Sequence, residues 1–534
     1  MKVVCGLFLV FCPILMWSTT LLVPEQYSTI QSAIDAAQAG DTVLVAEGVY
    51  YENIRIENKD LVVTSSFRQQ EDPNIILNTV IDGSQYNNPN AASAVFIRGG
   101  TAQCVVEGFT VRGGRGSIYT VPGWGNYLEG GGFYITSSSA TVRHNVITQN
   151  EVRRQGSNFL NSGGAAFHTS SGAPTIEQNI IACNYGGYGS VIITNHTNLT
   201  FRNNIVFNNI AEPYEVGTAF GATILVFGGT VTIENNTICG NVSKANSIAS
   251  SGRGGGVLIW NAAGTIRKNI IWHNHQSLGG QVFLNNAPGV TVSQNNIEDG
   301  SWANNLAEDP LLQSGTLALS AESPSINPYD NGEQGAYGGI DEPLFPVVDQ
   351  AGLYSFDDKK TVTVTNNAPA TFQLELLSLG NVDLQIEQVE STGESQVLET
   401  STNVLSYLSA NILTLQVAAA GEKDTLELYH SGCHAENPLK IALEFDYVTN
   451  TQERPSGVIK VYPNPANDRL TVELAESGDF DLVMTDSLGR VVLEKALNDG
   501  SGQMEIDIST LAKGKYELLI YRDGIIWANE SLVI

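Results

Sequence analysis

Positive charge is scarce in this chain. Its 534 residues carry 27 Lys and Arg against 55 Asp and Glu, a net charge of −28. That balance opposes the attraction to phosphate backbones and anionic lipid on which general nucleic-acid and membrane-surface binding depend. The deficit deepens towards the C-terminus, where 12 basic residues face 31 acidic ones from Asp341 onward. Long apolar runs are missing beyond the first 17 residues. Lys2, the apolar stretch Val3 to Trp17 and the small polar Ser18, Thr19 and Thr20 read as a signal peptide over residues 1–20, too short and too terminal for a membrane span. No transmembrane segment is therefore expected in the mature chain. Cysteine is sparse too: Cys5 and Cys12 fall in the leader, and the large Phe11 before Cys12 does not fit a lipoprotein signal. Cys104, Cys183, Cys239 and Cys433 remain. Cys183 and Cys239 stand two repeats apart, about 9 to 10 Å at strand spacing. That is beyond disulfide reach, so both are read as buried thiols.

What the chain has instead is repetition. A ten-residue phrase occurs six times: TVRHNVITQN from Thr141, TIEQNIIACN from Thr175, TFRNNIVFNN from Thr200, TIENNTICGN from Thr232, TIRKNIIWHN from Thr265 and TVSQNNIEDG from Thr291. Its second and seventh positions are apolar and its fifth is asparagine. The gaps between fifth positions are 34, 25, 32, 33 and 26 residues. Units of this length are too short for domains and too β-branched for helix pairs, which predicts coils of a right-handed parallel β-helix. The apolar positions point inward, and the asparagine sits where the chain turns, since asparagine tolerates unusual backbone angles. Stacked one strand spacing apart, Asn145, Asn179, Asn204, Asn236 and Asn269 are expected to form a structural ladder of amides. Glycine-led apolar strands keep step, among them GGFYIT from Gly131, GAAFHT from Gly164, GATILV from Gly221 and GGVLIW from Gly255. Such uniformly apolar strands suit a face covered on both sides, either by loops or as an apolar binding floor.

Before the coils, Ser28 with Gln31 suggests a capping box, Ile30, Ala33, Ile34 and Ala37 give one apolar helical face, and Gly40 ends the helix. A helix there plugs the open end of a solenoid, which otherwise leaves a bare sheet edge. This opening together with the coil phrase resembles the pectate-lyase-like superfamily of parallel β-helix proteins. Asp309, Pro310 and Leu311, then SPSIN from Ser323 and GAYG from Gly335, resemble the closing coil of bacterial surface β-helix proteins, with Glu333 and Gln334 departing from the usual form. The β-helix is therefore assigned to residues 21–340.

From residue 344 to 450 alternating strands such as TVTVTN from Thr361, FQLEL from Phe372, ILTLQV from Ile412 and IALEFDY from Ile441 suggest an immunoglobulin-like β-sandwich acting as a spacer. The stretch 458–534 contains Tyr462, Pro463, Asn464 and Pro465, then Leu488, Gly489 and Arg490, then Leu511, Gly514 and Tyr516. In that order these are similar to the C-terminal sorting domain of the type IX secretion system. The resemblance implies a small β-sandwich read as an address by the type IX machinery, with export across the outer membrane to the cell surface or medium. The fold class is all-β throughout.

Chemistry is less sharply marked. The third positions Arg143, Glu177, Arg202, Glu234 and Arg267 alternate in sign, as an outward ion ladder does. The eighth positions Phe207, Cys239 and Trp272 form an outward apolar strip, fit either to stack sugar rings or to lie under covering chain. Loops over 112–130 and 151–163 hold Arg112, Arg115, Arg153 and Arg154 with Tyr119, Trp124, Tyr127 and Phe159. Guanidinium forks grip carboxylates and aromatic faces stack on sugars, so Arg112, Arg115, Trp124, Tyr127, Arg153, Arg154 and Trp272 are the candidate contacts to an acidic extracellular polysaccharide. A lyase needs a cation at the uronate carboxylate, a base and an acid, and Arg267, Lys268 and His273 on one coil are the candidate set. No close carboxylate pair of a glycosidase appears. GVYYENI from Gly48 resembles the start of pectin methylesterases without their later motifs. No cofactor is required; Glu298, Asp299, Glu308 and Asp309 are a candidate calcium set, the last two fitting the closing turn equally. Two functions stay open: a polysaccharide lyase and a noncatalytic, glycan-binding adhesin.

Overall fold

The computed structural model describes residues 18–534 apart from 124, 154–160, 188–190, 213–221, 245–253, 277–279, 301, 327, 330–331, 339–344, 352, 356–357, 366–367, 434–436, 449–458, 463–465, 467, 487–489 and 523–524. It divides into two compact units, Met1–Tyr447 and Val448–Ile534.

The first unit opens with helix α1, Ile30–Ala36, whose Ile30, Ala33 and Ile34 are buried in the end of the solenoid core. Its cap lies one residue later than expected. Thr29 is the N-cap, its hydroxyl accepting from the Ser32 N–H at 3.1 Å, with Ser32 answering the Thr29 backbone. The helix also ends sooner, at an Ala37 cap. Both ends carry complementary charge. The Glu52 carboxylate accepts the N–H groups of Ile30 and Gln31, each at 2.9 Å, while Lys59 Nζ donates to the carbonyls of Ile34, Asp35 and Ala37 at 2.7 to 3.0 Å.

Behind the helix, parallel strands stack coil on coil into a β-helix. Face one holds the first strand of each phrase, such as Thr141–Arg143 pairing in register with Thr175–Glu177. Face two holds the second, such as Val146–Thr148 on Ile180–Ala182. Face three holds the glycine-led strands, such as Phe133–Ser138 on Phe167–Gly172. Second-position Val142, Ile176, Phe201, Ile233 and Ile266 and seventh-position Ile147, Ile181, Val206, Ile238 and Ile271 are all fully buried in one core. Each such side chain contributes about 1.5–3 kcal/mol.

The turns work differently from the sequence expectation. The left-handed backbone falls on the residue before each asparagine: His144, Gln178, Asn203, Asn235 and Lys268 have φ between 52° and 56°. The asparagine itself points inward. Asn145 Nδ2 donates to Asn179 Oδ1 at 3.1 Å, Asn179 to Asn204 at 3.0 Å, Asn204 to Asn236 at 3.1 Å, and Asn236 to Asn269 at 2.9 Å. Each oxygen also accepts a backbone N–H from the coil below, as Asn179 does from Asn145 at 3.0 Å. The tenth position repeats the device: Asn150, Asn184, Asn209, Asn241 and Asn274 form a second column, preceded by left-handed Gln149, Cys183, Asn208, Gly240 and His273.

The sandwich pairs a sheet of Leu353–Tyr354, Ala370–Ser378, Ser409–Ala418 and Gln396–Thr400 with one of Lys359–Thr365, Leu439–Val448, Lys423–His430, Leu384–Ser391 and Val404–Leu405. It is no end-on spacer. Phe207 and Cys239 of the outward strip lie under covering chain, the second of the two readings left open for them: both are buried on face two beneath Leu317, Ala336 and the sandwich residue Leu408. Tyr185, Ile210 and Val242 pack likewise on Tyr354, Leu377 and Leu379. The expectation for Cys183 is also overturned: it is disulfide-bonded to Cys433, with Cα atoms 6.1 Å apart across 250 residues of sequence. The partner comes from the sandwich, outside the repeats among which strand spacing sets the distances. Cys104 and Cys239 are free and buried. Gly240, at φ +60°, lies so close to the sandwich that a Cβ there would collide with the Leu379 carbonyl and the Leu408 side chain.

The second unit is an antiparallel sheet of Ile459–Tyr462, Arg469–Asp486, Lys515–Arg522 and Ile525–Val533, with Val491–Asp507 also pairing Arg469–Asp486, around its own core of Leu470, Val472, Phe480, Leu482, Leu518 and Ile520. Tyr462 closes the first strand, while Pro463, Asn464 and Pro465 lie outside the described residues.

Candidate functional site

Face three gathers the aromatic and ionisable groups. Strand register places Phe96, Tyr134, His168, Ile193, Leu225, Leu258 and Phe283 in one outward row, one per coil. Phe227 and Trp260 stand beside it in the neighbouring row, 5.8 Å between ring centres. Towards the C-terminal coils Ile193, Leu225 and Leu258 are fully buried and form a floor against which Tyr127, Phe227, Trp260 and Phe283 pack half-buried.

Towards the N-terminal coils the row is roofed. Residues expected as a loop form a hairpin, Gly116–Val121 with Gly125–Glu129, extended by Ala91–Ala92 and Asn161–Gly163. Under it lies a pair absent from the sequence expectations. His168 and Glu129 are fully buried, with His168 Nδ1 2.5 Å from Glu129 Oε2. Tyr134 stacks on the imidazole at 4.4 Å and Tyr119 tilts onto it at 4.7 Å. Burial and then the Glu129 charge raise the hydroxyl pKa of Tyr119, Tyr127 and Tyr134. His168 Nε2 has no hydrogen-bond partner among the described residues. The sequence signal existed: His168 is the one imidazole in an otherwise aromatic and aliphatic row.

The arginines proposed as a uronate grip are engaged within the protein. Arg112 Nε pairs with Asp82 at 2.8 Å and Arg115 with Glu151. Arg153 Nε meets Glu151 at 2.7 Å while its guanidinium covers the Tyr185 ring at 3.8 Å. Trp124 and Arg154 lie outside the described residues.

The lyase set is not assembled. Arg267 ends its strand on face one, paired with Glu234 at 2.9 Å as Arg202 pairs with Glu177 and Arg143 with Glu107, both at 2.7 Å. Lys268 takes the following left-handed turn. His273 lies beyond the whole of strand Ile270–Trp272, a separation of about 10 Å along the chain at strand rise. Its Nδ1 pairs with Glu298 at 3.0 Å. These are three positions on two corners, because a coil turns sharply between its faces. Three of the four candidate calcium carboxylates are engaged within the protein, Glu298 by His273 and Gln281, Asp299 by the Gln281 N–H, and Asp309 by the Leu311 N–H, while Glu308 is exposed. Among the described residues no cluster of three or more His, Cys, Asp or Glu is arranged to hold a metal. Trp272 stays half-buried at the open end of the face-two strip, next to Leu311 and Tyr407.

Comparison with known proteins adds the following. Residues 74–238 match the family described as right handed β-helix region, and residues 460–533 the secretion system C-terminal sorting domain. The chain is thus a β-helix protein that type IX secretion delivers to the cell surface or extracellular space. Among the described residues no helix is long and apolar enough to cross a membrane. No curated relative matches the chain. Solved structures that align include a pectin methylesterase in complex with a hexasaccharide (13% identity, 54% of this chain and 98% of that one, TM-score 0.27). Domains 5–6 of the S-layer protein SbsC align at 14% identity over 35% of this chain and 97% of that one, TM-score 0.16. InvD of Yersinia pseudotuberculosis aligns at 10% identity over 34% and 69%, TM-score 0.13. The fold assignment rests on strand register, not on these alignments.

Proposed function

We propose that the exported β-helix holds an extracellular polysaccharide on face three without cleaving it. The observation that carries this reading is the half-buried aromatic group Tyr127, Phe227, Trp260 and Phe283 set on a rigid apolar floor. Phe227 and Trp260 stand on successive coils with ring centres 5.8 Å apart and Phe283 follows one coil on in the adjacent row, and their packing against the floor limits the entropy lost when sugar rings stack on them. Internal pairing of Arg112, Arg115 and Arg153 removes the charge a uronate grip needs. The separation of Arg267 from His273 argues against a base and a carboxylate clamp acting on one sugar.

Affinity electrophoresis of the secreted protein through gels containing alginate, pectate, glucan or mannan tests the reading. Retardation by at least one polymer is expected, reduced in a Phe227→Ala, Trp260→Ala double variant. No retardation by any polymer sinks the binding reading, and ultraviolet-absorbing unsaturated products from alginate or pectate restore the lyase.

A further inference from the structure

A second aromatic cleft lies at the C-terminal end of face two. Trp272 ends its strand there and His273 takes the following turn, Asp309, Pro310, Leu311 and Leu312 pass beside them in the closing segment, and Tyr407 and Leu408 reach in from the sandwich. Together they enclose about 240 Å³. The strip one coil below is sealed, with Cys239 fully buried, but this end is open: Leu311 and the His273 side chain are each 39% exposed.

Two leucines of this lining hold a left-handed backbone, Leu311 at φ 50° and Leu408 at φ 44°. Such backbone is strained for a side chain of this size, and strain of this kind concentrates at ligand clamps. The surroundings enforce it. Asp309 Oδ1 accepts the Leu311 N–H at 2.9 Å, Ser320 N–H donates to the Leu311 carbonyl at 3.0 Å, and the Tyr407 hydroxyl donates to the Leu312 carbonyl at 3.2 Å. The result is an exposed leucine beside two aromatic rings.

We infer that this cleft is a subsite for an uncharged sugar unit, which rests on the reading of the protein as a glycan binder and names the ligand class. Trp272 and Tyr407 supply ring faces, and Leu311 and Pro310 an apolar edge. Asp309 keeps acceptor capacity for hydroxyls. Glu298 takes the Nδ1 side of His273, which leaves Nε2 as the imidazole's other polar atom. Among the described residues no Lys or Arg lines the cleft, and the carboxylate of Asp309 repels a uronate or phosphate. A volume just below the range of drug-sized pockets suits one or two pyranose rings.

Saturation-transfer NMR and tryptophan fluorescence on the full chain test this with cellobiose, laminaribiose, mannobiose and digalacturonate. At least one neutral disaccharide is expected to bind, with digalacturonate weaker by about tenfold or more. Trp272→Ala and the surface change Asp309→Asn are each expected to weaken the neutral ligand by about tenfold, while retardation by polymer, attributed to face three, persists. The inference is overturned if no neutral disaccharide binds, if digalacturonate binds as tightly, or if both variants bind like the parent. The two readings fail separately. Polymer retardation without disaccharide binding removes only the cleft; disaccharide binding with retardation insensitive to Phe227→Ala, Trp260→Ala removes only face three.

Discussion

At the residue scale the strongest commitments are buried polar groups. Glu129 and His168 lie wholly out of water in contact with each other. Removing one partner of a buried polar contact strands the other and costs about 1–3 kcal/mol, whereas replacing both with apolar groups of the same shape is often nearly neutral or stabilising. Glu129→Leu and His168→Leu singly are therefore expected to lower the urea midpoint strongly, and the double variant to recover most of the loss. A double variant as unstable as the sum of the singles would show that the two side chains do not act as a pair. Two other histidines set an acid limit. Burial, assisted by Arg143 for His144 and by His273 for His275, pushes both down to about 4, against the opposing pull of Glu107, Glu177 and Glu298. Each is neutral in the folded chain while the unfolded form takes up a proton below its ordinary pKa of 6.5. Stability attributable to them is thus complete above that value and falls as the pH drops towards 4, by up to about 1.4 kcal/mol per unit per histidine. Denaturation midpoints measured at about pH 7 and about pH 4.5 are expected to differ less in His275→Gln than in the parent.

At the element scale the sequence disclosed the coil but not what covers it. Period, inward positions and the fifth-position asparagine were legible because each repeats in step with a physical constraint. The tenth-position column was in five of the same six phrases, yet its turn role was hidden: the left-handed angle that fixes the corner belongs to His144 or Gln149, residues whose identity varies from coil to coil. For Phe207 and Cys239 the sequence left a sugar platform and a covered strip equally open, because the cover comes from residues more than 75 positions away. The Cys183–Cys433 bond was invisible for the same reason. It is expected to matter most for holding the sandwich against face two. Cys433→Ser should lower stability by about 2–5 kcal/mol, and limited proteolysis should then cut first between the β-helix and the sandwich. Equal protease resistance with and without the bond would contradict that role. Gly240→Ala should loosen the same contact, since the added Cβ meets backbone at Leu379 and a left-handed alanine is strained besides.

At the scale of the whole molecule, function was less legible than fold because the candidate side chains were chosen by type and coil, while pairing across coils decides which remain available. Arg112, Arg115 and Arg267 each found a carboxylate that only the stacking brings near, and Arg153 shares Glu151 with Arg115. The address, by contrast, could be read in order along the chain. Each unit carries its own apolar core, Val142 to Ile271 in one and Leu470 to Ile520 in the other. A chain ending at Tyr447 is therefore expected to melt within a few degrees of the first transition of the longer protein by calorimetry, and a large drop would show that the sorting domain supports the β-helix.

The two asparagine columns run in one direction only: each Nδ2 donates to the amide oxygen of the next coil as well as to carbonyls of its own and the preceding coil, and each Oδ1 accepts from the coil before. Such a rung is complementary to a copy of itself. Duplicating any stretch from one fifth-position asparagine to the next would add a coil in which no buried amide is stranded, and deleting one would close the column again. Length is thus a heritable variable that the scaffold can change by whole turns without redesign, and the reach of face three along a polymer can be lengthened or shortened by recombination alone.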